Sequence, residues 1–282
     1  MTLSVVIITY NEEANLARTL ESVKSLVADG KGEVIVVDSG STDRTVEIAK
    51  SFGAKVFIED WKGYAAQKNS AIDKATGDWI LSLDADEELF SELPQEIAHI
   101  IFEDSFVREK EPYEIGLLCD GFFIPRKNCF LGRWIRHGGF WPDPKLRLFR
   151  KGTARFEDRA VHEDAQLAEG KSAQLKHPLL HHSYPTLSDY IDHMNRYSSL
   201  GAEMAVAKSP RGFSLFNIVL RPLATFIYNY FFRLGFLDGR EGLLLHVYHA
   251  VYVSWKYAKA WELSRGAKPL KPCNAEDAVD AG

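Results

Sequence analysis

Three cysteines in 282 residues, scattered at Cys119, Cys129 and Cys273, are too few to frame a disulfide scaffold. No C-x-x-C spacing suggests structural zinc, so the cysteine usage fits a reducing cytoplasm. Long apolar runs are also lacking. A membrane-crossing helix needs about 20 consecutive apolar residues. Arg221, Asn229 and Arg233 interrupt one candidate, and His246, His249 and Lys256 interrupt the other. The first strand-like run begins at Leu3, so a signal peptide is not expected. Glycine is missing from Tyr10-Asn11-Glu12-Glu13, where a nucleotidyltransferase would place its phosphate loop.

What is present reads as a folded globular protein, with 46% hydrophobic and 26% charged residues. The charge is unevenly distributed. Residues 201–272 carry ten Lys/Arg against four acids, whereas the whole chain is −5. The same segment is dense in aromatics, among them Phe216, Tyr228, Phe231, Phe232 and Trp255. Basic and aromatic residues without a spanning run fit amphipathic helices lying in a membrane interface. An ordinary helical subdomain, or a surface for a homo-oligomer, remains the alternative. No recognition motif accompanies the basic residues, so nucleic acid is not expected as a partner. The expected division is a domain over 1–200, an amphipathic helical region over 201–272 and a disordered tail over 273–282.

Residues 3–9 form a short, β-branched run of the kind that becomes a parallel strand buried on both faces. Asn11 follows as a candidate helix cap, Leu16, Leu20, Val23 and Val27 recur at helical spacing, and Gly30 ends that helix. A second strand over 33–37 leads into Asp38-Ser39-Gly40-Ser41-Thr42-Asp43, with Ser41 or Thr42 capping the next helix. A strand over 55–58, a helix over 64–75 and a strand over 79–83 complete the alternation. Such alternation predicts an α/β fold with a mostly parallel sheet covered by helices on both faces. Ligands of such sheets bind at the carboxyl ends of the strands. Thr9, Asp38 and Asp84 all fall there. Asp84-Ala-Asp86 sets two carboxylates one residue apart at a strand end, which suits a hard cation such as Mg²⁺ or Mn²⁺. A solvated acidic turn would look the same taken alone.

Val-Val-Ile-Ile-Thr-Tyr-Asn-Glu-Glu at 5–13, Val-Val-Asp-Ser-Gly-Ser-Thr-Asp at 36–43 and Leu-Asp-Ala-Asp-Glu at 83–87 resemble family-two glycosyltransferases of the GT-A fold. Gln67-Lys68-Asn69, Arg147-Leu148-Phe149-Arg150, Val161-His162-Glu163 and Gly235-Phe236-Leu237-Asp238-Gly239 resemble the branch of lipopolysaccharide core β-glucosyltransferases that act on an inner-core heptose. The resemblance spans roughly residues 1–262. It implies a Rossmann-like GT-A domain with a C-terminal helical appendage, a UDP-sugar donor and a saccharide or glycolipid acceptor at the inner leaflet.

Residue by residue, it implies that Asp38 accepts a hydrogen bond from uracil and that Thr9, Tyr10, Asn11 and Glu12 border the base and ribose. Asp86 is expected as the direct metal ligand, Asp84 as a contact to ribose or metal-bound water, and His181 as a late metal ligand or diphosphate contact. Lys68 could reach a phosphate, although a lone Lys on a helix is commonly solvated. Inversion calls for a carboxylate base, with Glu163 favoured and Asp158 the runner-up. Arg147 and Arg150 are expected to flank the same crevice. The stretch 121–141, with Arg126, Lys127, Trp134, Arg136 and Trp141, could wall the acceptor. Transfer to a polyprenyl phosphate, and a non-catalytic module that only binds nucleotide-sugar or membrane, remain the rival readings.

Overall fold

The computed structural model describes residues 1–90, 92–102, 119–157, 164–209 and 212–266. The chain divides into two compact units, Met1–Thr186 and Leu187–Gly282.

In the first unit, β1 (Leu3–Thr9), α1 (Leu16–Val27), β2 (Gly32–Asp38), α2 (Thr45–Ser51), β3 (Lys55–Ile58), α3 (Tyr64–Lys74) and β4 (Trp79–Asp84) alternate as the apolar pattern predicts. β5 (Glu87–Leu89), α4 (Leu93–Phe102), β6 (Gly121–Ile124), β7 (Arg126–Phe130), β8 (Arg133–Trp134) and β9 (Lys145–Arg150) follow. β10 (Ala154–Phe156), β11 (Ala165–Leu167), β12 (Ser172–Gln174) and β13 (Leu179–Tyr184) end the unit. Among the described residues the main sheet has seven strands in the order β12-β6-β9-β4-β1-β2-β3. Within it only β9 runs against its neighbours, pairing antiparallel with both β4 and β6.

The parallel strands read as unbroken apolar runs because both faces are covered. Val5, Ile7, Val36, Leu81 and Leu83 pack with Leu16, Leu20 and Val23 of α1 and Ile97 of α4. Val6, Ile35, Val37 and Ile80 pack on the other side with Ala71 and Ile72 of α3 and with Phe156 and Ala165 of the β10–β11 hairpin. Each fully buried aliphatic side chain here contributes about 1.5–3 kcal/mol. At the amino ends of the strands, β1 and the turn before β4 touch so closely that Gly77 is required: a Cβ there would fall 2.7 Å from the Ser4 nitrogen.

Register carries the functional residues to one edge. Thr9 pairs with Asp38 across β1 and β2. Ile8 pairs with Asp84 across β1 and β4. The chain then turns through Ala85-Asp86 into β5, which opens a second sheet in the order β5-β13-β7-β8. Glu87, His181 and Asn128 form one cross-strand row of that sheet.

Two expected helix caps differ. Asn11 does not cap α1, which starts at Leu16 after Asn15. Asn11 instead takes a left-handed backbone (φ 55°) and binds across to the next loop. Neither Ser41 nor Thr42 caps α2. The Asp43 carboxylate receives the Thr45 N–H at 2.9 Å, because an anion at this position also meets the positive helix end.

In the second unit, α5 (Leu187–Lys208) packs against α7 (Gly239–Ser264). Lys259 Nζ donates to Asn195 O at 2.8 Å, Asn195 Oδ1 at 2.6 Å and the Ser198 hydroxyl at 2.8 Å, tying the two helices together. α5 runs through position 200 without a break. A helical segment over 216–232 contains α6 (Arg221–Ile227) between two wider turns. His246 is buried beside Gly235, where a Cβ would fall 2.3 Å from its ring nitrogen. Burial and then His249 push the His246 imidazole down to about 4, so it is a neutral core residue at ordinary pH. Among the described residues no helix is long and apolar enough to cross a membrane.

Candidate active site

At the end of β2 the Asp38 carboxylate is fully buried. Its Oδ1 accepts the Gly40 and Ser41 N–H groups at 3.0 and 2.8 Å. Its Oδ2 accepts the Thr9 and Ser41 hydroxyls at 2.8 and 2.6 Å. The roughly four lone-pair sites of a carboxylate are thus all engaged. A further N–H reaches this group only if the Ser41 hydroxyl rotates away. Asn11 braces the same loop: its N–H donates to Ser41 Oγ at 2.8 Å, and its Oδ1 accepts the Thr42 N–H at 2.9 Å. Tyr10 is 59% exposed beside it. The Glu12 N–H donates to Thr45 Oγ1. Burial raises the Glu12 carboxyl, its hydrogen bond from Asn15 opposes that, and the charges of Asp86, Asp43 and Asp84 add to the rise.

Asp84, at the end of β4, lies between two cations. Lys68 Nζ is 2.6 Å from Oδ1 and Arg147 Nη2 is 2.5 Å from Oδ2. Burial alone would raise this carboxyl, but Arg147 and then Lys68 outweigh it and hold it well below the usual carboxylate range. Lys68 is therefore not a solvated helix residue. It is buried, and its ammonium also lies 5.1 Å from the Phe156 ring centroid. Arg147 reaches further, donating to Glu87 Oε1 at 2.6 Å. Glu87 is 0% exposed, and its other oxygen receives the Asp84 N–H at 3.0 Å. Arg126 Nη1 approaches Glu87 Oε1 at 3.2 Å, and its other nitrogens bind Asp143.

Asp86 stands two residues past Asp84. Its Oδ2 lies 3.3 Å from His181 Nε2, and its carbonyl accepts the His182 N–H at 3.0 Å. Burial would raise the Asp86 carboxyl, and His181 outweighs it and lowers it, against the opposing charge of Asp84. His181 Nδ1 is taken on the other side of the ring, 2.7 Å from Asn128 Oδ1 and 2.8 Å from Ser183 Oγ. His182 belongs to a different contact, with its Nε2 3.2 Å from Glu88.

Thr9, Asn11, Glu12, Asp38, Lys68, Asp84, Asp86 and His181 thus gather along the carboxyl edge of β1, β2 and β4. Glu163 and Asp158 lie outside the described residues. Arg150 corrects an expectation: it pairs with Trp79 at the start of β4, so it lies at the opposite end from Asp84. The antiparallel direction of β9 is the cause. Arg147 does reach the crevice, but as a buried partner of Asp84 and Glu87. Glu87, Asn128 and Asp143 carry the site without having been assigned to it from sequence. The available signal was an arginine embedded among Leu146, Leu148 and Phe149, which needs a buried anion.

In the 121–141 stretch, Lys127 Nζ sits 4.4 Å from the Phe90 ring centroid and 4.6 Å from that of Trp134. Arg136 stacks over Trp134 at 4.2 Å, and Trp141 meets Trp134 edge-on at 5.2 Å.

Residues 4–107 match the model of glycosyl transferase family 2. An uncharacterized glycosyltransferase of Rickettsia typhi is 33% identical over 277 residues, covering 93% of this chain and 87% of that protein. The lipopolysaccharide core biosynthesis glycosyltransferase LpsC of Rhizobium meliloti is 29% identical over 288 residues, covering 98% of this chain and 97% of LpsC. Among solved structures, the mannosyltransferase PcManGT from Pyrobaculum calidifontis in complex with GDP-Man and Mn²⁺ matches with a TM-score of 0.50. At 15% identity, over 96% of this chain and 88% of that one, that likeness shows the fold. The chain belongs to glycosyl transferase family 2 and is a glycosyltransferase.

Arg147 neutralises two carboxylates at once, so its loss leaves buried negative charge uncompensated. Arg147→Met should lower the unfolding free energy by about 3–5 kcal/mol, read from denaturant midpoints. Adding Glu87→Gln should recover part of the loss. A loss below about 1 kcal/mol, within the range of surface ion pairs, would show that the cluster is not a structural anchor.

Proposed function

We propose that the chain transfers a hexose, by resemblance glucose, from a UDP-sugar to a saccharide of the lipopolysaccharide inner core, with inversion and with Mg²⁺ or Mn²⁺. The observation that supports it best is the facing pair of Asp86 Oδ2 and His181 Nε2, 3.3 Å apart beside Asp84. Neighbouring ligands of an octahedral ion with bonds of about 2.1 Å stand about 3 Å apart, so this oxygen–nitrogen pair fits a divalent cation. Among the described residues no cluster of three His, Cys, Asp or Glu could hold an ion. A two-residue set suits a metal that takes its other ligands from water and diphosphate. When bound, the ion neutralises charge developing on the leaving diphosphate.

The chain's own residues supply the rest. Asp38, Thr9 and the Asn11 loop hold the rigid edge against which the nucleoside lies, with Tyr10 and Glu12 bordering it. Lys68 and Arg147 keep Asp84 ionised, ready to accept a ribose hydroxyl or to orient metal-bound water. Lys68 is close enough to the acidic pair to share in balancing phosphate charge. Glu163, with Asp158 as its rival, takes the proton of the attacking acceptor hydroxyl. The GT-A chemistry is assigned to residues 1–200 and membrane attachment to 201–272.

That attachment is supported by the exposure of Phe213, Phe216, Leu220, Leu223, Phe231 and Phe232 alongside Arg221 and Arg233. An apolar surface rimmed by arginine suits an anionic inner leaflet, and it would keep the enzyme at the cytoplasmic face beside a lipid-anchored acceptor.

Three outcomes are expected. UDP should bind the wild type much more tightly with Mn²⁺ than with EDTA in calorimetry, and Asp86→Ala should erase that difference. Equal wild-type affinity under both conditions would sink the metal assignment. Glu163→Gln should cut turnover by about 10²–10⁴-fold with UDP-sugar affinity nearly unchanged. Near-normal turnover there, with collapse in Asp158→Asn, would transfer the role to Asp158. The protein should float with anionic vesicles at low salt and detach at high salt. Failure to float would favour a packed helical subdomain or a homo-oligomer surface over membrane attachment.

A further inference from the structure

Asn128 in β7 is the register partner of His181 in β13, and its amide is engaged at both ends. Nδ2 donates to Asp143 Oδ2 at 3.1 Å and to the Phe140 carbonyl at 3.4 Å. Oδ1 lies 2.7 Å from His181 Nδ1. A carboxamide has one donating and one accepting end, so whatever fixes one end fixes the other.

Asp143 makes that choice. Its Oδ2 also accepts Arg126 Nε at 3.1 Å and Nη2 at 2.5 Å. Burial would raise this carboxyl, but Arg126, the Asn128 hydrogen bond and Lys145 outweigh it and lower it. An ionised carboxylate only accepts hydrogen bonds. The amide nitrogen must therefore face Asp143, and the amide oxygen must face His181. An oxygen 2.7 Å from Nδ1 requires a hydrogen on Nδ1. Ser183 Oγ, 2.8 Å from the same nitrogen, can turn its own hydrogen to the His181 carbonyl at 3.4 Å. Nε2, 3.3 Å from Asp86 Oδ2, is then the nitrogen that a cation can take, any hydrogen it shares with Asp86 leaving as the cation binds.

We propose that Asn128 is a positioning residue which, oriented by Asp143, holds the hydrogen of His181 on Nδ1 and reserves Nε2 for a divalent cation shared with Asp86. The last step rests on the metal-assisted reading above. The placement of the hydrogen does not. A hydrogen-bonded outer partner that fixes a ligating imidazole typically changes metal affinity by about 10–100-fold when removed.

The test reads nitrogen states directly. In metal-free protein labelled with ¹⁵N-histidine, with the His181 signals identified by their loss in His181→Gln, Nδ1 should carry a hydrogen. A bare, pyridine-type Nδ1 in the wild type would overturn the proposal, and this measurement needs no Asn128 variant. In Asn128→Leu the hydrogen should shift toward Nε2, and Mn²⁺ affinity in the presence of UDP should fall by about 10–100-fold. UDP affinity in EDTA should stay unchanged, which separates this effect from general damage. An unaltered Nδ1–H in Asn128→Leu would overturn Asn128 as the determinant. Undiminished Mn²⁺ affinity in His181→Gln would instead remove His181 from the metal site, while the nitrogen signals would still report on Asn128.

Discussion

The Arg147 guanidinium, 4% exposed and set among apolar neighbours in β9, joins Asp84 of the main sheet to Glu87 of the small one. Removing an arginine and two carboxylates from water is costly, and the cost is offset only when geometry and extra hydrogen bonds are good. Here they are. Asp84 has Lys68 on its other oxygen, while Glu87 has Arg126 and the Asp84 N–H. Because Arg147 is shared, the turn Ala85-Asp86 between β4 and β5 is pinned from both sides. The Thr19 hydroxyl adds a third tether, donating to the Ala85 carbonyl at 2.7 Å. The position of Asp86 follows from this clamp.

From that clamp a polar chain extends across the small sheet. Arg126 links Glu87 to Asp143, Asp143 links to Asn128, Asn128 to His181, and His181 to Asp86. From Glu87 as far as His181 Nδ1 each link alternates donor and acceptor, so that stretch has one consistent arrangement of hydrogens. Networks of this kind are costly when half satisfied and rigidifying when complete. The arrangement leaves Asp84, Asp86 and Glu12 as an acidic group facing the loop edge held by Asp38. A crevice with carboxylates at one end and a braced loop at the other is what the proposed cation-bridged nucleoside diphosphate would need.

The second unit is built differently. Lys259 ties its two long helices together through Asn195 in α5, and a neutral His246 packs against Gly235. The outer residues of the 213–237 region stay largely apolar and exposed, with Phe232 at 75%. Apolar residues clustered at such exposure mark an interaction surface. Their interleaving with arginine is the feature on which the proposed membrane attachment rests.

Much of the fold was legible in the chain itself. β1 through β4 and α3 lie within a residue or so of their expected bounds, since strands buried on both faces read as unbroken apolar runs and helices show their spacing. The convergence of Thr9, Asp38 and Asp84 was legible for the same reason: parallel strands end on one side. The small sheet was not, because β5 and β8 are short and polar, and nothing local distinguishes them from loops. α4 passed unread as well. Asn11 looked like a cap and became a cross-loop brace, since a left-handed backbone at one residue depends on partners about thirty positions away. Lys68 was expected to reach a phosphate, with its ion pair to Asp84 unforeseen, and Arg147 and Arg150 looked equivalent. Only the antiparallel insertion of β9 decided that Arg147 faces Asp84 while Arg150 faces Trp79. Sequence determined the four parallel strands β1 to β4 and where their ends converge, because burial on both faces leaves an unbroken apolar trace along the chain. Tertiary structure alone decided which charges pair, because a buried ion finds its partner through space, and its neighbours in the chain carry no record of it.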